Sequence, residues 1–311
     1  MPRLRRPLAA MAMPIAMTLA AASALLFSGC AATDTADAAG DRISVVASTS
    51  VYGQIAEAVG GTAVDVTSIV SSASQDPHSF EPSAQDQLAV RHADLVIENG
   101  AGYDAFMAAL VQASGSTAPV ITAVASSPEW SAGGSAVHFN EHVWYDPQTM
   151  GVVASAIAAE LSRIMPARAA TFAQNAKALH GEIDGLETRI SAIRNSHAGE
   201  QIFVTEPVPL YLTAAAGLEN VTPAAFTEAV EEGHDVAPAT LLGALTLLRS
   251  GDVRVLIANS QTGGAETMLV IHEAQSRSIP VLEFAETLPH GKTYISWMRS
   301  NIDALSEGLG G

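Results

Sequence analysis

The stretch that most constrains this chain lies in its middle. Residues 167–197 contain no proline and carry apolar side chains at Leu179, Ile183, Leu186, Ile190 and Ile193, a spacing of four, three, four and three. Such spacing returns to the same face of a helix at each turn, so it describes one apolar stripe. About 31 residues at ~1.5 Å rise make a rod of roughly 46 Å, long for one globular domain and suited to running along two. Residues 165–198 are therefore expected to form a rigid connecting helix, with a folded lobe on either side.

The flanking sequence agrees with that arrangement. From residue 43 short apolar runs alternate with longer segments of helical period, the pattern of parallel α/β units. Strands are predicted over 43–47, 64–70, 94–98 and 120–122, and helices over 52–59, 83–92, 103–114 and 146–161. The last of these helices has a clear start, because Asp146 can cap its free amides while Pro147 takes the first helical position. After Gly199 the alternation restarts, with strands over 201–205, 253–258 and 280–284 and helices over 209–216, 238–249, 264–278 and 293–305. The expected fold class is α/β, with two parallel-sheet lobes at 41–164 and 199–311 joined by the connecting helix. Open parallel sheets bind ligands beyond the carboxyl ends of their strands, which places a ligand in the cleft between the lobes.

The amino terminus has the order of a secretory signal. Residues 1–29 hold Arg3, Arg5 and Arg6, no acid, then an apolar stretch over 8–27 that ends in Ser28-Gly29-Cys30. A cysteine directly after small residues resembles the bacterial lipobox, in which that residue carries lipid as the first residue of the mature chain. An uncleaved anchor is the alternative, since roughly 20 apolar residues can span a bilayer, but Pro7, Pro14 and the terminal Cys30 favour lipidation. Either reading puts the remainder outside the cytoplasm. Residues 30–40 are small and polar, a flexible tether.

Charge and cysteine usage then exclude whole classes. The 311 residues carry 32 acids against 15 bases, a net charge of −17, and loss of residues 1–29 would take three bases and no acid to leave −20. Phosphate recognition needs clustered Lys and Arg, so no nucleic-acid partner is expected. With Cys30 as the one cysteine, there is neither a disulfide framework nor a thiolate cluster, and a metal site has to be built from His, Asp and Glu.

Four such residues fall in loops beyond predicted strands or before a helix. His78 lies in SSASQDPHSFEPS after the strand at 64–70, and His142 lies in NEHVWYDP before the helix at 146. Glu206 follows the strand at 201–205, and Glu286 follows that at 280–284. Two imidazoles and two carboxylates suit a first-row divalent ion such as Zn²⁺ or Mn²⁺ and nearly neutralise it, which lowers the cost of burying them together. Oxygen-rich ligation leans towards Mn²⁺, whereas the intrinsic affinity order favours Zn²⁺. Glu231, Glu232 and Asp235 are expected to be a solvated acidic loop.

DPHSFEPS, HVWYDP, TEPVPLYL and ETLPHG resemble segments of the zinc and manganese substrate-binding lipoproteins of bacterial ABC transporters, the cluster A-I solute-binding proteins. The resemblance runs from Ile43 to Leu305. It implies a metal held between the lobes by one ligand from each of four loops: His78, His142, Glu206 at a position that is His or Glu in different members, and Glu286 where an Asp is usual. The extended His-rich loop of many zinc-specific members is absent, with His138 and Glu141 nearby as possible accessory groups. Its implied function is capture of Zn²⁺ or Mn²⁺ as transported ligand by a membrane-tethered monomer and delivery to an ABC permease, with no enzymatic activity. The alternatives are a metal-dependent extracellular hydrolase, for which no HExxH or GxSxG segment occurs, and a two-lobe receptor for a metal chelate.

Overall fold

A computed structural model describes residues 42–72, 74–130 and 139–310. The expected signal over 1–29, the tether over 30–40 with Cys30, and His138 lie outside the described residues. The first lobe runs β1 (Ile43–Thr49), α1 (Ser50–Gly60), β2 (Val64–Val70), α2 (Ala84–Arg91), β3 (Leu95–Glu98), α3 (Ala105–Ser114), β4 (Val120–Thr122) and α4 (Pro147–Ile164). The connecting helix α5 (Ala169–His197) follows. The second lobe then runs β5 (Gln201–Val204), α6 (Leu210–Ala215), β6 (Glu219–Asn220), α7 (Ala224–Glu231), α8 (Pro238–Ser250), β7 (Val253–Asn259), α9 (Ala265–Ser276), β8 (Val281–Phe284) and α10 (Tyr294–Leu309).

Each lobe holds one parallel four-stranded sheet, in the orders β2-β1-β3-β4 and β6-β5-β7-β8. The two topologies are the same. In each, the order reverses between the first and third strands of the lobe, which opens a crevice at the carboxyl ends of β1 and β3 and of β5 and β7. The central strands are apolar on both faces, as a sheet covered by helices on both sides requires: Val45, Val46 and Ala47 in β1 and Val255, Leu256 and Ile257 in β7 are all buried.

Side-chain caps fix where several helices begin. Ser83 Oγ accepts from Asp86 N at 3.3 Å while the Asp86 carboxylate accepts from Ser83 N at 2.7 Å, a reciprocal box at the start of α2. Asp146 accepts from Gln148 N at 3.1 Å with Pro147 at the first turn of α4. A Cβ on Gly53 would lie 2.1 Å from Ser68 Oγ, so α1 crosses β2 closely enough that any larger residue there would have to displace the Ser68 hydroxyl.

The stripe on α5 extends further than the sequence suggests, from Phe172 and Ala176 through Leu179, Ile183, Leu186, Ile190 and Ile193, all buried. It packs against α4, α1 and α10. Its apolar face belongs to one continuous cluster that includes Val45 and Leu95 from the first sheet and Val204 and Ile257 from the second. The lobes therefore share a core through the helix. Tyr145 adds a direct bridge, with its ring stacked on Phe284 at 5.9 Å and its hydroxyl donating to Ala285 O at 2.7 Å. Among the described residues, no helix is long and apolar enough to cross a membrane.

Two elements, β6 and α7, are absent from the sequence reading. β6 is only two residues long and exposed, so it carries no apolar alternation to read. Helix α7 falls outside every helix expected from the sequence and has no side-chain cap to mark its start; Phe226, packed on Phe203 at 5.5 Å, anchors it. Glu231 is consequently the last residue of a helix and half-buried, not part of a solvated loop. The helix expected over 264–278 stops at Ser276, and Ser278 takes a left-handed φ of 59° in the turn that follows.

Candidate metal centre

His142 sits immediately before a single 3-10 turn, Val143–Tyr145, that leads into α4. Its ring is buried at 1% exposure. His142 N donates to Asn140 Oδ1 at 3.1 Å, and His142 Nδ1 donates to the same oxygen at 2.7 Å. That bond commits Nδ1 and leaves Nε2 with its lone pair for a ligand. Burial, with a smaller contribution from the charge of His78, lowers the imidazole pKa to about 3, so the ring is neutral and competent to bind a metal. Trp144 and Tyr103 shield it at ring separations of 5.1 and 6.0 Å.

His78 is held differently. It lies on a one-turn 3-10 helix, Pro77–Ser79, whose cap Asp76 accepts from His78 N at 2.9 Å and from Ser79 Oγ at 2.7 Å. The ring stands edge-on to Tyr103 at 5.0 Å and 87°. Unlike His142 it faces solvent, with Nε2 3.9 Å from Glu141 Oε1.

The two carboxylates from the second lobe are both buried, Glu206 at 3% and Glu286 at 4% exposure. Asn259, at the end of β7, lies between them and donates through Nδ2 to Glu206 Oε2 at 2.8 Å and to Glu286 Oε1 at 2.6 Å. Thr262 Oγ1 donates to the other Glu206 oxygen. Gln261 Oε1 accepts from the backbone amides of Glu286 and Thr287 at 2.8 and 2.9 Å, which fixes the loop after β8. Burial first, and the charge of Glu206 second, push the Glu286 carboxyl up to about 7.

The residues converge as follows. A ligand atom of each of His78, His142 and Glu286 lies within 4.8 Å of the others. Ligand atoms around a tetrahedral Zn²⁺ at ~2.1 Å are roughly 3.4 Å apart, so small inward movements would close this trio on an ion. Glu206 is not within that trio; it is joined to Glu286 through Asn259. A second group, Glu141, His142 and Glu231, meets the same 4.8 Å separation. Glu231 is pushed up to about 8 by burial first and then by the charges of Glu141, Glu206 and Glu286, the mark of carboxylates crowded around one point.

Asn140, Asn259 and Thr262 are not legible as site residues in the sequence, because amides and a hydroxyl are not metal ligands by type and act here by holding His142, Glu206 and Glu286 in place. For Asn259, position was the available signal: it ends a strand beside the topological switch point.

The site lies on a chain whose residues 45–308 match the family model described as zinc-uptake complex component A, periplasmic. The chain is 25% identical to the manganese ABC transporter substrate-binding lipoprotein PsaA of Streptococcus pneumoniae serotype 4, over 92% of this chain and 96% of that protein. Among solved structures, a mutant of the laminin-binding adhesin Lmb of Streptococcus agalactiae superposes with a TM-score of 0.73 at 24% identity, covering 86% of this chain and 99% of that one. A crystal structure of ZnuA superposes with a TM-score of 0.70 at 18% identity, covering 87% and 98%. Because that family model spans nearly all of the described chain, both lobes and the helix that joins them included, the protein belongs to the family of periplasmic zinc-uptake component A proteins.

Proposed function

We propose that the protein captures a first-row divalent metal ion, Zn²⁺ or Mn²⁺, between its lobes and delivers it to the permease of an ABC importer, with His78, His142, Glu206 and Glu286 as the ligands. The family consists of metal-uptake components and not of enzymes, so the hydrolase alternative has no support. One observation carries the assignment of ligands: ligand atoms of His78 and His142 from one lobe and Glu286 from the other lie within 4.8 Å of each other. Glu206 is the fourth ligand because the Asn259 amide already holds it beside Glu286. Four protein ligands leave no open position for an activated water, as suits cargo to be released intact.

The manganese in the name of PsaA and the zinc in the family description are both ions that such a nitrogen and oxygen set accepts. The lipoprotein relatives support an extracytoplasmic location at the membrane. On this reading residues 1–29 are a removed signal, Cys30 carries lipid, residues 30–40 are the tether, and lobes 41–164 and 199–311 flank the connector 165–198 in a monomer.

The test is a thermal-shift and competition titration of metal-stripped protein with Zn²⁺ and Mn²⁺. Free ion at a thousand times the dissociation constant should stabilise the protein by about 4 kcal/mol. His142→Ala should abolish the shift; an unchanged shift in that variant, or none in the parent, would overturn the assignment.

A further inference from the structure

Beside His78 lies a cavity of about 950 Å³ whose walls also include Asp76 and Glu141 from the first lobe and Glu231, Glu232 and Asp235 from the second. Glu206 and Glu286 do not line it and are buried at 3% and 4% exposure. An ion arriving from solvent therefore meets the carboxylates of the cleft before it meets the carboxylates of the inner site.

Two of the cleft carboxylates differ from the rest. One oxygen of Glu141, one oxygen of Glu231 and a ring nitrogen of His142 lie within 4.8 Å of one another. Among the described residues, the Oε1 atom of Glu231 is enclosed without a hydrogen-bond partner. A buried carboxylate oxygen without a donor is costly, and a cation at this point satisfies it. The two acids come from opposite walls, Glu141 beside His142 and Glu231 at the end of α7. His142 belongs to both groups, and with its Nδ1 taken by Asn140 its Nε2 is the nitrogen left to bind an ion in either.

We propose that Glu141, His142 and Glu231 form an outer metal station, at which a partly hydrated divalent ion is first held before it passes to the inner ligands with His142 as the shared pivot. The station rests on the reading of His142 as a metal ligand and adds two residues to it. One imidazole and two carboxylates leave coordination positions for water, so the ion sheds its shell in steps and never crosses the cleft without a protein ligand. Simple electrostatic attraction makes a different prediction. Attraction between exposed charges is screened within ~3 Å at 1 M salt, whereas direct coordination is not.

The experiment is stopped-flow association and release of Mn²⁺ with the purified protein, read by tryptophan fluorescence, since Trp144 lies 5.1 Å from His142. Parent, Glu231→Gln, Glu141→Gln and Glu232→Gln are compared at about 0.05 M and about 1 M NaCl. Glu231→Gln and Glu141→Gln should each slow association and release about tenfold at both salt concentrations, with the dissociation constant kept within about threefold. Glu232→Gln removes a carboxylate from the same wall and should stay within about twofold of the parent at high salt. Unchanged rates in the first two variants, or slowing that disappears at high salt, would overturn the station. A dissociation constant weakened about a hundredfold through faster release would overturn it too, by making these residues ligands of the resting ion. A parent that binds neither Mn²⁺ nor Zn²⁺ would instead defeat the underlying ligand assignment, an outcome separable from a parent that binds while its variants keep the parent rates.

Discussion

Asn140 Oδ1 accepts from His142 Nδ1 at 2.7 Å, and the Nδ2 of the same amide donates to Pro207 O at 3.0 Å, one residue beyond Glu206. Tyr211 Oη closes the loop by donating to Asn140 O at 2.8 Å. Asn140 therefore sets the orientation of the His142 ring in the first lobe while tying it to the strand end that presents Glu206 in the second. Outer-shell partners of metal-binding histidines commonly contribute about 10–100-fold in affinity.

Asn140→Ala should weaken Zn²⁺ binding by about 10–100-fold in a chelator competition titration. Asn140→Asp keeps an acceptor for Nδ1 and should lose less. Equal affinity in parent and Asn140→Ala would show that the ring is held by packing against Trp144 and Tyr103 alone.

Asn259 is the donor shared by two buried carboxylates, and its removal leaves both short of a partner. Asn259→Ala should destabilise the metal-free protein by about 1–3 kcal/mol in urea unfolding. Saturating Mn²⁺ should recover most of that loss, because the ion then supplies the compensating charge. A variant as stable as the parent without metal would mean that water replaces the amide at no cost.

Stability of the metal-free protein should fall as pH rises. Glu286 at about 7 and Glu231 at about 8 hold protons in the folded state that the same groups release near 4.5 when unfolded. Their contribution is fully present below about pH 4.5 and is lost as pH climbs through 7 and 8, since the folded state binds more protons over that range. Metal affinity runs the other way, because the ion must displace the Glu286 proton below pH 7. The melting temperature of the stripped protein should thus decline between pH 5.5 and 8.5 while its gain on adding Zn²⁺ increases. A metal-induced gain that does not change over this range would contradict the coupling.

Leu186 stands mid-way along α5 at 1% exposure in the core that the two lobes share. Leu186→Ala should cost about 2–5 kcal/mol and lower the urea midpoint without changing the slope of the transition. Metal affinity of the folded variant should stay near that of the parent, since the stripe carries the scaffold and not the ligands.

Much of the scaffold is legible in the residue order because its signals are local. The stripe on α5, the caps at Ser83 and Asp146 and the apolar runs of β1, β2 and β4 each depend on neighbours within a few positions. Two exposed residues in β6 and a start without a side-chain cap in α7 leave no such signal. With α7 went the surroundings of Glu231, which look like open acidic loop in sequence and lie against His142 in space.

The sequence by itself determined the α/β class, the long connector and the nitrogen and oxygen character of any metal site, since these follow from periodicity and from which side chains exist. Only the tertiary structure decided that His78, His142 and Glu286 meet, that Asn259 holds Glu206 beside Glu286, and that Glu141 and Glu231 close on His142 from the cleft. The physical reason is that the separation of residues on two sheets is set by how both pack along α5, and amide groups such as Asn140 and Asn259 acquire their role only once that packing has placed a partner on each side of them.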